Sequence, residues 1–247
     1  MSGENRSFGL NGNVLKIIAA ISMLVDHIGV IFFPTVIALR IIGRFAFPIF
    51  AYMIAEGCNY TKNKLRYFLN VFVLGVGCQL VYSLYGGDEM MGILITFSIS
   101  ILVIYAMQYM KKLLFSEKVG AFGQALSVFV FIAAVAAAYV LNEIFYIDYG
   151  FWGCMAPVFA SVFRVPREMS LPYLEKLDKH VLHVSLFGVG LAILSFAIAG
   201  TQPYALFALP LLFIYSGKRG KLNMKYFFYI FYPLHLAVLE LINYIID

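Results

Sequence analysis

Residues 15–57 read LKIIAAISMLVDHIGVIFFPTVIALRIIGRFAFPIFAYMIAEG. This is a pair of apolar runs of about twenty residues each, long enough to cross a bilayer twice, interrupted only at Phe33, Pro34 and Thr35. Inside the pair lie Asp26, His27, Arg40 and Arg44. Ionisable groups at that depth are costly unless paired, and they usually line a cavity or a reaction path.

The break is so short that the two helices must lie side by side and antiparallel. With residue 34 as the mirror point, His27 stands level with residue 41, between Arg40 and Arg44, which are four apart and share a helix face. Asp26 and His27 are adjacent and point about 100° apart. The expectation is that Asp26 neutralises an arginine while His27 turns toward a polar cavity.

Composition agrees with a membrane protein. Of 247 residues, 62% are hydrophobic and 13% charged, against about a quarter charged in soluble domains. Cys58, Cys78 and Cys154 have no paired spacing and read as small buried hydrophobes, with neither a disulfide framework nor a metal site. The first apolar run is of spanning length with no small-residue cleavage site after it, so it reads as an uncleaved anchor.

The pattern predicts an all-α, polytopic transmembrane helix bundle of about nine spans: residues 14–33, 36–57, 66–85, 92–110, 121–141, 149–163, 181–199, 203–216 and 226–246. The sixth and eighth are short for a roughly 30 Å hydrocarbon core, so eight or ten spans also fit. Sixteen of the eighteen basic residues fall at the N-terminus or in alternate loops: Arg6 and Lys16; Lys62, Lys64 and Arg66; Lys111, Lys112 and Lys118; Arg164, Arg167, Lys176 and Lys179; Lys218, Arg219, Lys221 and Lys225. The loops between carry Asp88, Glu89, Glu143 and Asp148. By the positive-inside rule the N-terminus is cytoplasmic. The net charge of +5 therefore reflects topology and implies no nucleic-acid partner; the partners implied by composition are membrane lipids. No repeat, linker or low-complexity tract divides the chain, so residues 1–247 read as one domain.

Lys16 and His27 are eleven residues apart on one helix, which brings them within about 20° of the same face and about 16 Å apart. That span suits a pantetheine arm. A cation at the cytoplasmic end could hold the phosphates of coenzyme A while an imidazole meets the thioester deeper in. Lys16 also reads as a snorkelling interface anchor. His27 suits general-base work near neutrality, or serves as a structural hydrogen-bond partner. Arg44 and Arg40 could stabilise an oxyanion, bind an acidic group, or simply bridge two helices through Asp26. His235, in FYIFYPLHLAVLEL, lies about ten residues into the last span, beside Tyr229, Tyr232 and Pro233, which suggest a kinked helix facing a polar interior. His180 and His183 read as solvated or capping residues at a helix start. Glu56 could pair with Lys16 or Lys62. Asp148 reads as a helix N-cap or as a residue facing an acceptor.

The segments LKIIAAISMLVDHIG, LRIIGRFAFPIFAYMIAEG, DYGFWG and RGKLNMKYFFYIFYPLHLAVL resemble the TraX family of integral membrane proteins, named for the protein that acetylates the N-terminus of conjugative pilin. The family resembles a wider group of transmembrane acyltransferases whose first helix carries a basic residue, ten intervening residues and a histidine. The resemblance implies an acetyltransferase of the bacterial cytoplasmic membrane. It would move acetyl from cytoplasmic acetyl-CoA to an amine or hydroxyl acceptor at the outer face, a pilin-like peptide or an envelope glycan. Carried over by motif, Asp26 and His27 match the DH pair, Arg44 the GR pair, Glu56 the EG pair and His235 the LH pair. Arg219 and Lys225 fall in the basic run before the last helix, and with Lys221 and Lys16 they are the expected phosphate holders. Two departures stand out: Lys16 replaces the group's usual arginine, and Gly92 stands where an asparagine-led segment is usual. The rival reading is a small transporter or flippase, with the same buried Asp, His and Arg forming its pathway. The visible absence of two similar halves weighs against that reading.

Overall fold

In hydrocarbon each backbone N–H and C=O must be satisfied within its own segment, so apolar runs of this length form helices. The computed structural model describes residues 9–84, 91–166, 171–222 and 224–246, without the side chains of residues 82, 84, 172, 173, 225 and 226. Arg6, Asp88, Glu89 and Arg167, all used above to orient the chain, lie outside the described residues, as does the side chain of Lys225. The helices are α1 (Gly12–Phe32), α2 (Ile37–Gly43), α3 (Ala46–Tyr60), α4 (Lys64–Leu84), α5 (Ile93–Leu114), α6 (Ala121–Ile144), α7 (Gly150–Ser161), α8 (Pro172–Glu175), α9 (His180–Ile198), α10 (Leu209–Phe213) and α11 (Lys225–Ile246), with a 3₁₀ turn at Gln202–Ala208 before α10. Among the described residues there is no β-strand, only two isolated bridges, Leu10 with Tyr215 and Met91 with Ile147.

Among the described residues seven helical segments are long and apolar enough to cross a membrane, α2 and α3 together counting as one, and the protein is a multi-pass membrane protein. The short sixth and eighth runs are helical too, but α7 has 12 residues and residues 202–213 divide between the 3₁₀ turn and α10. The second run is not one continuous helix. It breaks between α2 and α3, where Arg44 and Phe45 close with tight turns onto Arg40, Ile41 and Ile42. Pro48 explains the break, because it has no N–H to offer the carbonyl of Arg44 one turn earlier.

The chain forms two compact units. The first comprises Met1–Met53 and Ser195–Asp247, the second Ile54–Leu194. In the first, α1 and α2 form the expected antiparallel hairpin about residue 34. The Cα of Gly29 faces Leu39, and that of Gly43 faces Asp26. Turns at Ala199 and Gly200, both of positive φ, lead into the 3₁₀ turn. Beyond α10, Tyr215 returns to bridge Leu10 and packs edge-on against the buried Tyr52.

In the second unit α5 is the central helix, buried on most sides. Small polar side chains join it to its neighbours, as is usual where hydrocarbon gives no hydrophobic drive for helix pairing. Ser100 Oγ donates to the carbonyl of Cys154 on α7 at 2.8 Å, and Thr96 Oγ1 donates to the carbonyl of Asp148 at 2.8 Å. Gly75 of α4 lies against Leu94 and Ile95. On α6, Phe122, Phe129 and Ile132 are exposed, an apolar surface suited to lipid.

The hairpin tolerates no bulk at its crossing. A Cβ on Gly43 would overlap the Asp26 side chain, and one on Gly29 would meet Leu39 Cβ at 2.8 Å, whereas one on Gly77 meets nothing within 4 Å. Gly43→Ala and Gly29→Ala should each cost about 1–3 kcal/mol, read as a lower melting temperature in detergent. Gly77→Ala should be neutral or gain up to about 1 kcal/mol from helix propensity.

Candidate functional site

The site in the first unit is built on one carboxylate. Asp26 Oδ2 accepts from Arg40 Nη1 at 2.7 Å, and Oδ1 accepts from Arg44 Nη2 at 3.2 Å. The expected pairing thus takes in both arginines. Their four-residue spacing puts them on one face of α2 and its C-cap, and Gly43 between them leaves room for the carboxylate.

Arg44 is held on every nitrogen. Its Nε donates to the carbonyl of Arg40 at 3.4 Å, Nη2 to Asp26, and Nη1 to Gln202 Oε1 at 3.2 Å. Arginine only donates, so the amide oxygen of Gln202 must face it. Gln202 is 2% exposed. The sequence reading missed it, because a glutamine 158 residues away in a Pro-flanked turn carries no local mark.

His27 and His235 meet. His27 Nδ1 lies 2.8 Å from the carbonyl of Met23 and His235 Nδ1 lies 2.8 Å from the carbonyl of Phe231. A carbonyl has no proton to give, so both Nδ1 atoms carry hydrogen. In the neutral rings each Nε2 is then the lone-pair nitrogen. His235 Nε2 points at His27 Nδ1 at 3.4 Å, with the rings edge-to-face and their centroids 5.0 Å apart. His27 Nε2 thus remains the basic atom of the pair, and His235 supports the opposite side of the ring. Stacking of Phe231 on His235, with Tyr232 edge-on, fixes the second ring. Pro233 lies inside α11, one turn after Tyr229.

At the N-terminal end of α1 a cavity of about 730 Å³ is lined by Asn11, Asn13, Lys218, Arg219, Gly220 and Lys221, with Val14, Ile17, Leu222 and Met224 as its apolar wall. The basic loop is fastened to the helix. Gly12 N donates to the carbonyl of Lys218, Asn13 N to that of Arg219, and Asn13 Nδ2 to that of Leu222 at 2.7 Å. Gly220 is required by its φ of +95° and by Asn11 Oδ1, which stands 2.8 Å from where a Cβ would sit. Asn11 caps the helix through Asn13 N and Val14 N. The first amides of α1 are therefore taken, and an anion here would be held by side-chain cations. Arg219 and Lys221, the residues expected to hold phosphates, line this cavity, and Lys218 joins them. Lys16 is not among the lining residues; its Nζ stands over the Phe228 ring, 5.8 Å from the centroid. The Asn-Gly-Asn that precedes the first apolar run was the available signal for the cap.

Two expected residues lie elsewhere, in the second unit. Glu56 pairs with Arg164, a member of one of the basic loop clusters, where the expectation is Lys16 or Lys62. Lys111, likewise read as a loop cation, is 5% exposed and donates to the carbonyls of Ser161 and Arg164 at 2.8 and 3.1 Å. His183 is buried beside Asp178 at 2.9 Å instead of solvated. Asp148 does not cap α7. The N-cap is Tyr149 with φ 61°, and the backbone of Asp148 joins Met91 and Thr96. Gly92 caps α5, its N–H donating to Gln79 Oε1 at 3.1 Å. Among the described residues no three His, Cys, Asp or Glu side chains group as a metal site.

Two predictions follow from the pairs. Asp26→Asn strands two arginines and should cost about 3–5 kcal/mol, with partial recovery in the exchange Asp26→Arg with Arg44→Asp. Glu56→Ala should cost a similar amount by leaving Arg164 buried beside an empty space, while Lys112→Ala on the neighbouring exposed position should stay within about 0.5 kcal/mol; thermal unfolding in one detergent ranks all of them.

The chain matches the family described as TraX protein over residues 11–243. The "Probable fimbrial assembly protein FimC, serogroup H1" of Dichelobacter nodosus is 24% identical over 254 residues, covering 95% of this chain and 96% of that protein. An uncharacterized protein of Rickettsia prowazekii (strain Madrid E) is 39% identical over 69 residues, 28% of this chain and 25% of that protein. No solved structure matches. The family match runs from the Asn11 cap past the His27 and His235 pair and takes in both units, and the chain belongs to the TraX family of membrane proteins.

Proposed function

We propose that this protein is an acetyltransferase of the bacterial cytoplasmic membrane, its N-terminus cytoplasmic, moving acetyl from acetyl-CoA to an amine or hydroxyl at the outer face. The observation that carries the reading is the content of α1. At its N-terminal end stands a cavity with three cations and an apolar wall, and about 16 Å beyond Lys16 stands an imidazole whose basic nitrogen is left over by its hydrogen bonds. The alternate basic clusters support the orientation, and membership of the TraX family supports acetyl transfer.

In this reading Lys218, Arg219 and Lys221, which line the cavity, hold the phosphates of coenzyme A, and Lys16 adds a further cation in the first turns of α1. Val14, Ile17 and Met224 offer apolar surface to the rest of the nucleotide. His27 Nε2 takes the proton of the attacking amine or hydroxyl as that atom bonds to the acetyl carbon. His27 then returns the proton to the departing sulfur. Met23's carbonyl and His235 Nε2 stabilise the transient imidazolium through Nδ1–H. Arg44, fixed on three sides, supplies positive charge to the tetrahedral oxyanion with no reorganisation. A relative described as a probable fimbrial assembly protein over nearly its whole length makes a pilin-type N-terminus the first acceptor to try, ahead of an envelope glycan.

Calorimetry with coenzyme A and acetyl-CoA on detergent-purified protein tests the donor site. Binding should weaken at least tenfold in the double variant Arg219→Ala, Lys221→Ala and stay unchanged in His27→Ala. The latter should lose transfer by about 10²–10⁴-fold. A folded protein that binds neither ligand, or full transfer by His27→Ala, overturns the reading and directs attention to a transport pathway through the same charges.

A further inference from the structure

The carboxylate of Asp26 is shared by two guanidinium groups, so the cluster holds one positive charge more than it can balance. Among the described residues no second carboxylate pairs with either arginine. The two cations are not equivalent. Arg44 is 11% exposed with every nitrogen engaged, whereas Arg40 is 32% exposed and gives only Nη1, to Asp26. A guanidinium has five N–H donors, and the edge left unused on Arg40, Nε with Nη2, is the planar fork that receives an oxyanion through two parallel hydrogen bonds. Arg40 lies three residues into α2, about 4.5 Å along the helix from Ile37, and the surface there is open: Phe33, Val36 and Ile37 are all exposed. An uncompensated charge so placed in a spanning helix is costly until an anion meets it.

We propose that Arg40 is an anion-docking residue. Its free fork binds a phosphate or carboxylate that completes the charge balance of the Arg40, Asp26 and Arg44 cluster, brought either by a phospholipid headgroup or by the acceptor molecule. Because Asp26 adjoins His27 in sequence, an acceptor held this way would carry its acidic group close to the atom that reacts. The anion site goes beyond the transferase reading and does not depend on it; only its assignment to an acceptor rests on that reading.

The test uses the full chain in an uncharged maltoside detergent, melted with each of four probes: dihexanoyl phosphatidylglycerol, dihexanoyl phosphatidylcholine as the net-neutral control, glycerol phosphate and succinate. Sodium chloride matches the ionic strength throughout. At ten times the dissociation constant an anion should raise the melting temperature by about 3–6 °C, saturably, in the wild type and not in Arg40→Gln. A response to phosphatidylglycerol alone assigns the site to a lipid headgroup, and a response to glycerol phosphate or succinate assigns it to a soluble anion. Without any anion, Arg40→Gln should melt no lower than the wild type, since it leaves a balanced Asp26 and Arg44 pair. Arg40→Lys, which keeps charge and loses the fork, should respond more weakly than the wild type. The proposal is overturned if no anion shifts the wild type, if Arg40→Gln responds equally, or if Arg40→Gln alone melts as low as Arg44→Gln, as a helix clamp would. No acetyl donor is present in these melts, so their outcome and that of the coenzyme A titration are separate.

Discussion

One carboxylate within a membrane-spanning helix governs the first unit. Asp26 is affordable there because Arg44 pairs with it, with Arg40 reaching it as a second cation, and both reach it only because α2 folds back on α1 about residue 34. The same contact fixes the register of the hairpin, demands glycine at position 43, and sets Arg44 at the point where Pro48 interrupts the second run. Breaking a helix in lipid leaves backbone groups to satisfy, which is tolerable where they face protein or a polar interior. Here the break does useful service, since it places Arg44 at a helix end, where its side chain can turn to Asp26 and Gln202 together.

From that anchor the rest of α1 acts as a spacer of fixed length. The residue after Asp26 is His27, about 100° around the helix, which brings its ring to His235 on α11 while leaving it beside the arginine cluster. Both histidines bind the carbonyl one turn back on their own helices, so neither ring is free to present Nδ1. The chemistry left to the pair is set by those two bonds. At the other end, Asn11 and Asn13 consume the helix amides and tie down the basic loop, converting a flexible run of lysine and arginine into a wall of one cavity.

Much of this was legible in the sequence because lipid leaves few alternatives. Spanning runs must be helices, a three-residue break must give a hairpin, and a mirror point fixes which residues face each other; Asp26, Arg40 and Arg44 followed from spacing alone. The meeting of His27 with His235 could be anticipated only as two histidines at similar depth, since nothing local says which face of α11 turns to α1. Gln202 was invisible for the same reason. The split of the second run was readable from Pro48 and was overlooked because the hydrophobic pattern continues across it. Asp148 looked like a cap by its position before α7, but the left-handed Tyr149 takes that place and leaves Asp148 to bind through its backbone.

Lys111 and Arg164 show where a topological rule and a structural role overlap. Counting basic residues orients a chain whether or not those residues are solvated, so the count is blind to burial. Both side chains fold back onto helix ends, Lys111 onto the carbonyls of Ser161 and Arg164, and Arg164 onto those of Ala160 and the carboxylate of Glu56. Carbonyls at the C-terminal end of a helix have no partners within it and carry the negative pole of its dipole. A cation that satisfies them has both a reason to be at the helix end and a reason to be inside. Position along the chain alone therefore cannot separate a lysine that orients a span from one that closes its end; that distinction depends on whether a helix stops against another one, as α7 does here after only 12 residues.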